Sequence, residues 1–278
     1  MNWFITDMDG TFLNSNREIA PNSKEVLTKL QDAGSKFIIA TGRVDLAVRN
    51  YYQQMGLRDV TISCNGAFIR NQSNGEVIYQ NSFSTEELEI IHRKFTEMND
   101  GSIDFHVYTA NYIYCDKISF SLARILKAEE NASPEFKTPM LIDKDVISNI
   151  KNNNDPCFKV LLTSSNHDLL LQIYKEISKE FELESVFSAT DFFDLTPKGT
   201  SKGNAIKKVA QYYGLDIKDT VVFGDNYNDI DMLTVAGRAV CPSNAKDEVK
   251  EICHEIIGSH NDFSVIKYVE DYLKSLEK

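Results

Sequence analysis

Asn2-Trp3-Phe4-Ile5-Thr6-Asp7-Met8-Asp9-Gly10-Thr11 decides how the rest of the chain is read. The first five residues form a short apolar run, which predicts a buried strand. Asp7 and Asp9 then stand where the strand passes into a loop. On an extended chain residues i and i+2 point to the same side, so both carboxylates can face one site. Gly10 lets the chain turn sharply after them. Like charges this close repel unless a cation or a shared proton relieves them. An Asp-, Gly- and Thr-rich loop after an ordinary strand looks the same, so the stretch takes its meaning from what surrounds it.

Working outward, Asn22 to Ala33 predicts a helix. Asn22 is the expected cap with Glu25 three residues on, and Gly34 is the stop. Lys36 to Ala40 predicts a second apolar strand, running into Thr41-Gly42-Arg43. A helix to Met55 with Gly56 at its end and a strand over Val60 to Cys64 follow. Ala67 to Arg70 and Val77 to Gln80 predict a hairpin turning at Asn74-Gly75. Near the other end, Ser201 to Tyr213 reads as a helix opening on Ser201-Lys202-Gly203. Thr220 to Phe223 reads as a strand feeding Gly224-Asp225-Asn226-Tyr227-Asn228-Asp229. A helix with Ile230, Leu233 and Ala236 apolar, a strand at Ala239 to Cys241 and a closing helix over Phe263 to Leu276 complete the chain. Strands alternating with helices predict a mostly parallel α/β sheet.

The rhythm changes near Ser84. Ser84-Thr85-Glu86-Glu87 is a capping-box start to an amphipathic helix reaching about Met98. Phe105 to Tyr108 and Tyr112 to Cys115 read as paired strands, and Asn131 to Pro139 and Asn152 to Pro156 as loops. Phe158 to Leu162 reads as a strand, Asp168 to Phe181 as a helix, and Phe192 to Leu195 as a strand of the returning α/β part. The expected organisation is an α/β, Rossmann-like core over residues 1–83 and 188–278, with an inserted α+β domain over 84–187.

Carboxyl ends of neighbouring parallel strands converge on one crevice. Three polar clusters follow strands here: Asp7/Asp9, Thr41/Gly42 and Asp225/Asn228/Asp229. Lys202 opens a helix. Carboxylates without histidine or cysteine suit a hard divalent cation, most simply Mg²⁺. Lys and Thr, with the backbone N–H groups of a tight turn, suit a phosphate. A carboxylate beside a bound phosphate can act as nucleophile, and a second carboxyl can protonate the leaving oxygen and then activate water.

The bulk properties narrow the partners. A length of 278 residues suits about two domains. No apolar run approaches the ~18 residues of a membrane span, and a strand starting at residue 2 leaves no room for a signal peptide. The five cysteines are odd in number and form no CxxC pair, which points away from a disulfide framework or a zinc site and towards the cytoplasm. The net charge of −11 argues against nucleic acid and requires local cations at any phosphate site.

The DxDGT, strand-end Thr41, Lys202-Gly203 and GDxxND motifs, in this order, resemble the haloacid dehalogenase superfamily of phosphatases. Ala40-Thr41-Gly42-Arg43, Ser201-Lys202-Gly203 and the large insertion resemble its Cof-type branch with a C2-type α+β cap domain. The resemblance implies Mg²⁺-dependent hydrolysis of small phosphorylated metabolites, such as sugar phosphates or phosphorylated cofactors, through an aspartyl-phosphate. It makes Asp7 the nucleophile and a metal ligand, and Asp9 the general acid/base with its backbone carbonyl on the metal. Asp225 completes the metal site, with Asp229 behind it or linked through a water. Thr41, Gly42, Lys202, Asn228 and the Met8 backbone N–H hold the phosphate.

Other residues carry weaker readings. Arg43 is a candidate substrate contact, or an ordinary ion pair at a helix start. Lys202 is preferred to Lys198 as the phosphate lysine because it opens the helix and precedes Gly203. His106, Tyr108, Tyr112 and Tyr114 either line a face of the insert or are plain core. A phosphomutase would share the aspartyl-phosphate, and a receiver-like signalling module would share the acidic cluster. Such modules are about half this length and have no use for an acid at Asp9.

Overall fold

The computed structural model describes residues 2–130 and 133–277. It divides the chain into two compact units. Unit 1 comprises Met1–Arg43, Val48–Tyr79 and Ser201–Lys278; unit 2 comprises Val44–Ala47 and Gln80–Thr200.

The first segment contains β1 (Trp3–Thr6), α1 (Ser23–Asp32), β2 (Lys36–Ala40), α2 (Arg49–Met55), β3 (Val60–Ser63), β4 (Phe68–Asn71) and β5 (Val77–Gln80). Gly56 closes α2 in the left-handed conformation, as its place after Met55 predicts. The helix itself is shorter than expected, with a 3₁₀ turn at Asp45–Ala47 before it. Asn22 precedes α1 without capping it. Its backbone (φ −93°, ψ 3°) is not extended, and its amide donates to Glu270 instead.

The second segment contains α3 (Thr85–Met98), β6 (Asp104–Thr109), β7 (Ile113–Cys115), α4 (Phe120–Ala128), β8 (Met140–Ile142), α5 (Val146–Asn153), β9 (Cys157–Thr163), α6 (His167–Ile177), β10 (Leu183–Ala189) and β11 (Phe192–Pro197). Of the loop expected over Asn131 to Pro139, Asn131 and Ala132 lie outside the described residues, and Pro134–Phe136 forms a 3₁₀ turn. The strands form one sheet in the order β10-β11-β9-β6-β7-β8, antiparallel except for β7–β8. Leu88 and Ile91 of α3, Ile150 of α5 and Leu170 and Ile173 of α6 bury one face with Phe105, Val107, Val160 and Leu162.

Unit 2 therefore runs past the 84–187 bounds expected from sequence. β10 crosses position 187, and β11 pairs with β9 with Leu195 opposite Val160. An apolar run such as Phe192 to Leu195 suits a strand of either sheet, so sequence alone assigns it to the wrong one.

The last segment contains α7 (Lys202–Tyr213), β12 (Thr220–Phe223), α8 (Ile230–Val235), β13 (Arg238–Pro242), α9 (Asp247–Ile252), β14 (Glu255–Ile257) and α10 (Ser264–Leu276). The unit 1 sheet runs β14-β13-β12-β1-β2-β3-β4-β5. It is parallel from β14 to β3, and β4 is antiparallel to β3. Alternate residues of β1 enter opposite cores. Phe4 joins Leu27, Leu30 and Val269 of α1 and α10. Trp3 and Ile5 join Ile206, Val209 and Leu233 of α7 and α8. Burial on both faces is why these strands read as continuous apolar runs. β1 lies between β2 and β12, so the strand order reverses beside it, and open α/β sheets place their crevice at such a reversal.

Candidate active site

Strand register brings the motifs together. Thr6 at the end of β1 lies opposite Phe223 of β12 and Ile39 of β2. Asp7, Asp225 and Thr41 therefore leave the same edge of the sheet. Gly10 has φ +83°, and a Cβ there would stand 2.5 Å from Asp225 Oδ2. Glycine thus serves both the turn and the close approach of the two acidic loops.

Lys202 is buried at the start of α7, where Ser201 caps the helix by accepting from the Asn204 N–H. Its Nζ donates to Asp7 Oδ1 at 2.6 Å and to Asp229 Oδ1 at 2.7 Å. Asp229 Oδ2 accepts from the backbone N–H groups of Asp225 (2.9 Å) and Asn226 (3.1 Å). Both Asp229 oxygens are thus engaged in holding the loop and the lysine. Thr11 Oγ1 donates to Asp225 Oδ1 at 2.6 Å. Lys198 belongs to the other unit, where it is exposed and paired with Glu182.

The electrostatics are those of an undercompensated acidic cluster. Burial pushes the Asp7 carboxyl well above the usual range; Lys202 pulls against it, while Asp229 and Asp225 add to the push. Burial, then repulsion from Asp229, moves Asp225 up to about 7. The Lys202 ammonium loses solvation, but Asp229 and Asp7 more than offset that and raise its pKa. Asp7, Asp225 and Asp229 each offer an oxygen within 4.8 Å of the others. Three oxygen donors with too little positive charge among them fit a hard divalent cation.

Asp9 is held differently. Its two oxygens accept from Arg43 Nε and Nη2, each at 2.7 Å. Partial burial favours the neutral acid, but the guanidinium outweighs it and holds Asp9 below the usual carboxylate range. Arg43 also lies over the Tyr51 ring, 5.0 Å from its centroid. The Asp9 side chain is therefore in an ion pair rather than in the three-carboxylate cluster.

Besides Lys202, the residues expected to bind phosphate lie on the loops that follow β1, β2 and β12. Thr41 is buried, and its Oγ1 accepts from the Arg43 N–H at 3.2 Å. Met8 is buried, and its carbonyl accepts from the N–H groups of Phe12 and Leu13. Asn228 Nδ2 donates at 3.1 Å to Asn65 Oδ1, and a Cβ on Gly42 would meet that same oxygen at 2.9 Å. Asn65, Thr11 and Asn244, which donates to the Gly10 carbonyl, are the residues that sequence reasoning gave no role. Asn65 follows β3 at the same sheet edge. The strand-end rule that exposes Asp7 and Thr41 reaches it too, but an Asn-Gly pair reads first as a turn. In unit 2, His106, Tyr108 and Tyr114 are buried and Tyr112 is partly exposed, with Tyr114 in the apolar core.

Residues 4–269 match the family model described as haloacid dehalogenase-like hydrolase. Pyridoxal phosphate phosphatase of Escherichia coli K12 is 27% identical over 268 residues, covering 96% of this chain and 97% of the relative. The HMP-PP phosphatase of Yersinia pseudotuberculosis serotype I is 28% identical over 273 residues, covering 97% and 94%. A haloacid dehalogenase-like hydrolase from B. subtilis has the same fold, with a TM-score of 0.83 at 22% identity over 97% of this chain and 99% of that one.

Proposed function

The chain belongs to the haloacid dehalogenase-like hydrolases, and from that premise we propose that it is a Mg²⁺-dependent phosphatase of small phosphorylated metabolites, with Asp7 as nucleophile. The observation that carries this reading is Asp7 at the end of β1, held by Lys202 and facing Asp225 and Asp229. Asp7, Asp225 and the Asp9 backbone carbonyl would hold Mg²⁺, with Asp229 fixing the loop. When bound, the cation neutralises charge on the phosphoryl oxygens.

The residues account for the rest of the reaction. Asp7 attacks phosphorus, the bond to the alcohol oxygen breaks, and that oxygen takes a proton from Asp9, which has first taken one up from solvent as the substrate dianion draws Arg43 away from it. Water then attacks the aspartyl-phosphate, gives its proton to Asp9 and releases phosphate and free Asp7. Lys202, Thr41, the N–H groups of Met8 and Gly42, and Asn228 hold the phosphoryl group. Arg43 keeps Asp9 ionised in the resting site, the form that activates water. Its acid role requires the phosphate dianion to compete for the Arg43 guanidinium, which makes Arg43 a substrate contact.

The relatives named as phosphatases of pyridoxal phosphate and of HMP-PP support a small metabolite as substrate. The five cysteines, all described, form no disulfide, which suits a reducing cytoplasm. Among the described residues no helix is long and apolar enough to cross a membrane. The test is phosphate release from a panel of sugar phosphates and pyridoxal phosphate, with Mg²⁺ and with excess chelator. Release is expected only with the metal. Asp7→Asn keeps the shape, removes the attacking charge and should lower kcat by roughly 10⁴-fold or more, the scale seen when other enzymes lose a nucleophile. A folded Asp7→Asn protein retaining a tenth of wild-type kcat overturns the assignment.

A further inference from the structure

We infer that Asn65 is a positioning residue of the phosphate site, acting through the Asn228 amide; this deepens the phosphatase reading and rests on it. Cys64, Asn65 and Gly66 all have positive φ, at 49°, 56° and 101°. Asparagine tolerates this region, but cysteine adopts it only against steric resistance. Such a run persists where its surroundings hold it, and three elements of the site do so here.

The Cys64 N–H donates to the Arg43 carbonyl at 2.8 Å, and the Asn65 N–H to the Thr41 carbonyl at 3.0 Å. Gly66 lies so close to the start of α7 that a Cβ would stand 2.2 Å from the Ser201 carbonyl oxygen, one residue before Lys202. Asn65 itself is buried, with its Oδ1 accepting from Asn228 Nδ2 at 3.1 Å and abutting Gly42. The segment thus joins the Thr41–Gly42 turn, the Asn228 loop and the Lys202 helix. An amide nitrogen carries two donors. Committing one of them to Asn65 fixes the plane of the Asn228 amide and so the direction of the other. Thr41 is tied in the same way, through its carbonyl. A side chain that reaches the phosphate through Asn228 controls affinity without taking part in bond making.

The test uses the full-length protein with Mg²⁺ and inorganic phosphate as the probe. Asn65→Gly keeps the left-handed backbone free of strain and removes the side chain with its amide, at a small cost in backbone entropy. It is expected to stay folded, to raise the Ki of phosphate and the KM of a monoester about tenfold, and to change kcat less than threefold. Asn228→Ala, which removes a donor to the phosphate itself, should raise the Ki and KM at least as much and lower kcat as well. The double variant should add less than twofold to Asn228→Ala, because residues acting as one unit are non-additive. A merely structural role would lower Tm and kcat without this coupling. If Asn65→Gly does not fold, Asn65→Ser, neutral and too short to reach Asn228, takes its place in the same cycle. An unchanged Ki, or effects that multiply in the double variant, overturn the inference while wild-type turnover leaves the phosphatase reading standing. A wild-type protein that neither turns over monoesters nor binds phosphate removes both.

Discussion

Lys202 occupies a place that a helix does not favour for a cation. The first turn of a helix carries the positive end of its dipole, worth about 0.3–1 kcal/mol against an ammonium, and Lys202 is also buried there. Asp7 and Asp229 overcome both penalties. Lys202→Ala should therefore leave Asp7 facing a phosphate dianion with one cation fewer. Its kcat/KM should fall by about 2–4 kcal/mol in transition-state stabilisation, as for other lost electrostatic donors. Lys198→Ala, measured alongside with the same substrate, should change little, because that lysine pairs with Glu182 in the other unit. Reversed behaviour of the two variants refutes the role of Lys202. These residues were legible as a set, because polar clusters that follow apolar runs in one order, with a lysine before a glycine at a helix start, carry together a meaning that none of them carries alone. Asn65 was not, since its significance lies in a contact 163 residues away in the chain. A second residue-scale expectation concerns His106, which is 1% exposed with no hydrogen-bond partner on either ring nitrogen. Burial pushes it down to about 4; Asp104 opposes this, and Lys159 and Lys117 reinforce it. An unfolded histidine titrates near ~6.5, so the unfolded chain takes up this proton first as pH falls. Stability is complete above pH ~7 and is lost between about 6.5 and 4, by roughly 2 kcal/mol at pH ~5. Urea midpoints should accordingly drop less between these pH values for His106→Leu than for wild type. Equal drops would mean that His106 takes up its proton in the folded state.

At the scale of elements, two similar motifs give opposite results. Ser84 begins a complete capping box: its Oγ accepts from the Glu87 N–H at 3.2 Å, and its own N–H donates to Glu87 Oε2 at 2.7 Å. Asn22 with Glu25 promises the same arrangement, yet Glu25 pairs with Lys29 and Asn22 with Glu270. Ser84→Ala should cost about 1 kcal/mol. Asn22→Ala should stay within about 0.5 kcal/mol, as an exposed site without a cap. Urea unfolding of the two variants side by side checks this, and an equal loss would contradict the cap geometry. The same scale explains where the strands were misread. β10, Leu183–Ala189, is only partly buried at an edge of its sheet, so its apolar signal is weak and it went unseen. β11 was visible as a strand, but its partner was not, because pairing with β9 is set by register and not by composition. The parallel strands of unit 1 were legible for the converse reason. They are buried on both faces and end in polar clusters, which marks both their span and their direction.

At the scale of the whole molecule, the net charge of −11 acts on the metal and the substrate in opposite senses. In the site itself, Asp7, Asp9, Asp225 and Asp229 stand with Lys202 and Arg43, which with every carboxylate ionised is an excess of two negative charges that one divalent cation cancels. Once the metal is bound, the near field no longer repels a phosphate, but the far field of the remaining acidic surface still does. Salt separates the two. The Debye length is about 30 Å at ~0.01 M and about 8 Å at ~0.15 M, so low salt lets the whole chain be felt and physiological salt leaves only the local cluster. The Mg²⁺ concentration for half-maximal activity should therefore rise several-fold on going from ~0.01 to ~0.15 M NaCl. At saturating Mg²⁺, the KM of a dianionic monoester should move the other way, because screening removes the long-range repulsion. The kcat depends on the filled site and should stay within about twofold. Asp225→Ala withdraws one metal donor and should raise the Mg²⁺ requirement at both salt concentrations. A half-saturation that does not respond to salt would show that the acidic surface contributes nothing to metal capture and that the cluster alone sets it. Full activity in excess chelator would contradict the metal-dependent mechanism itself.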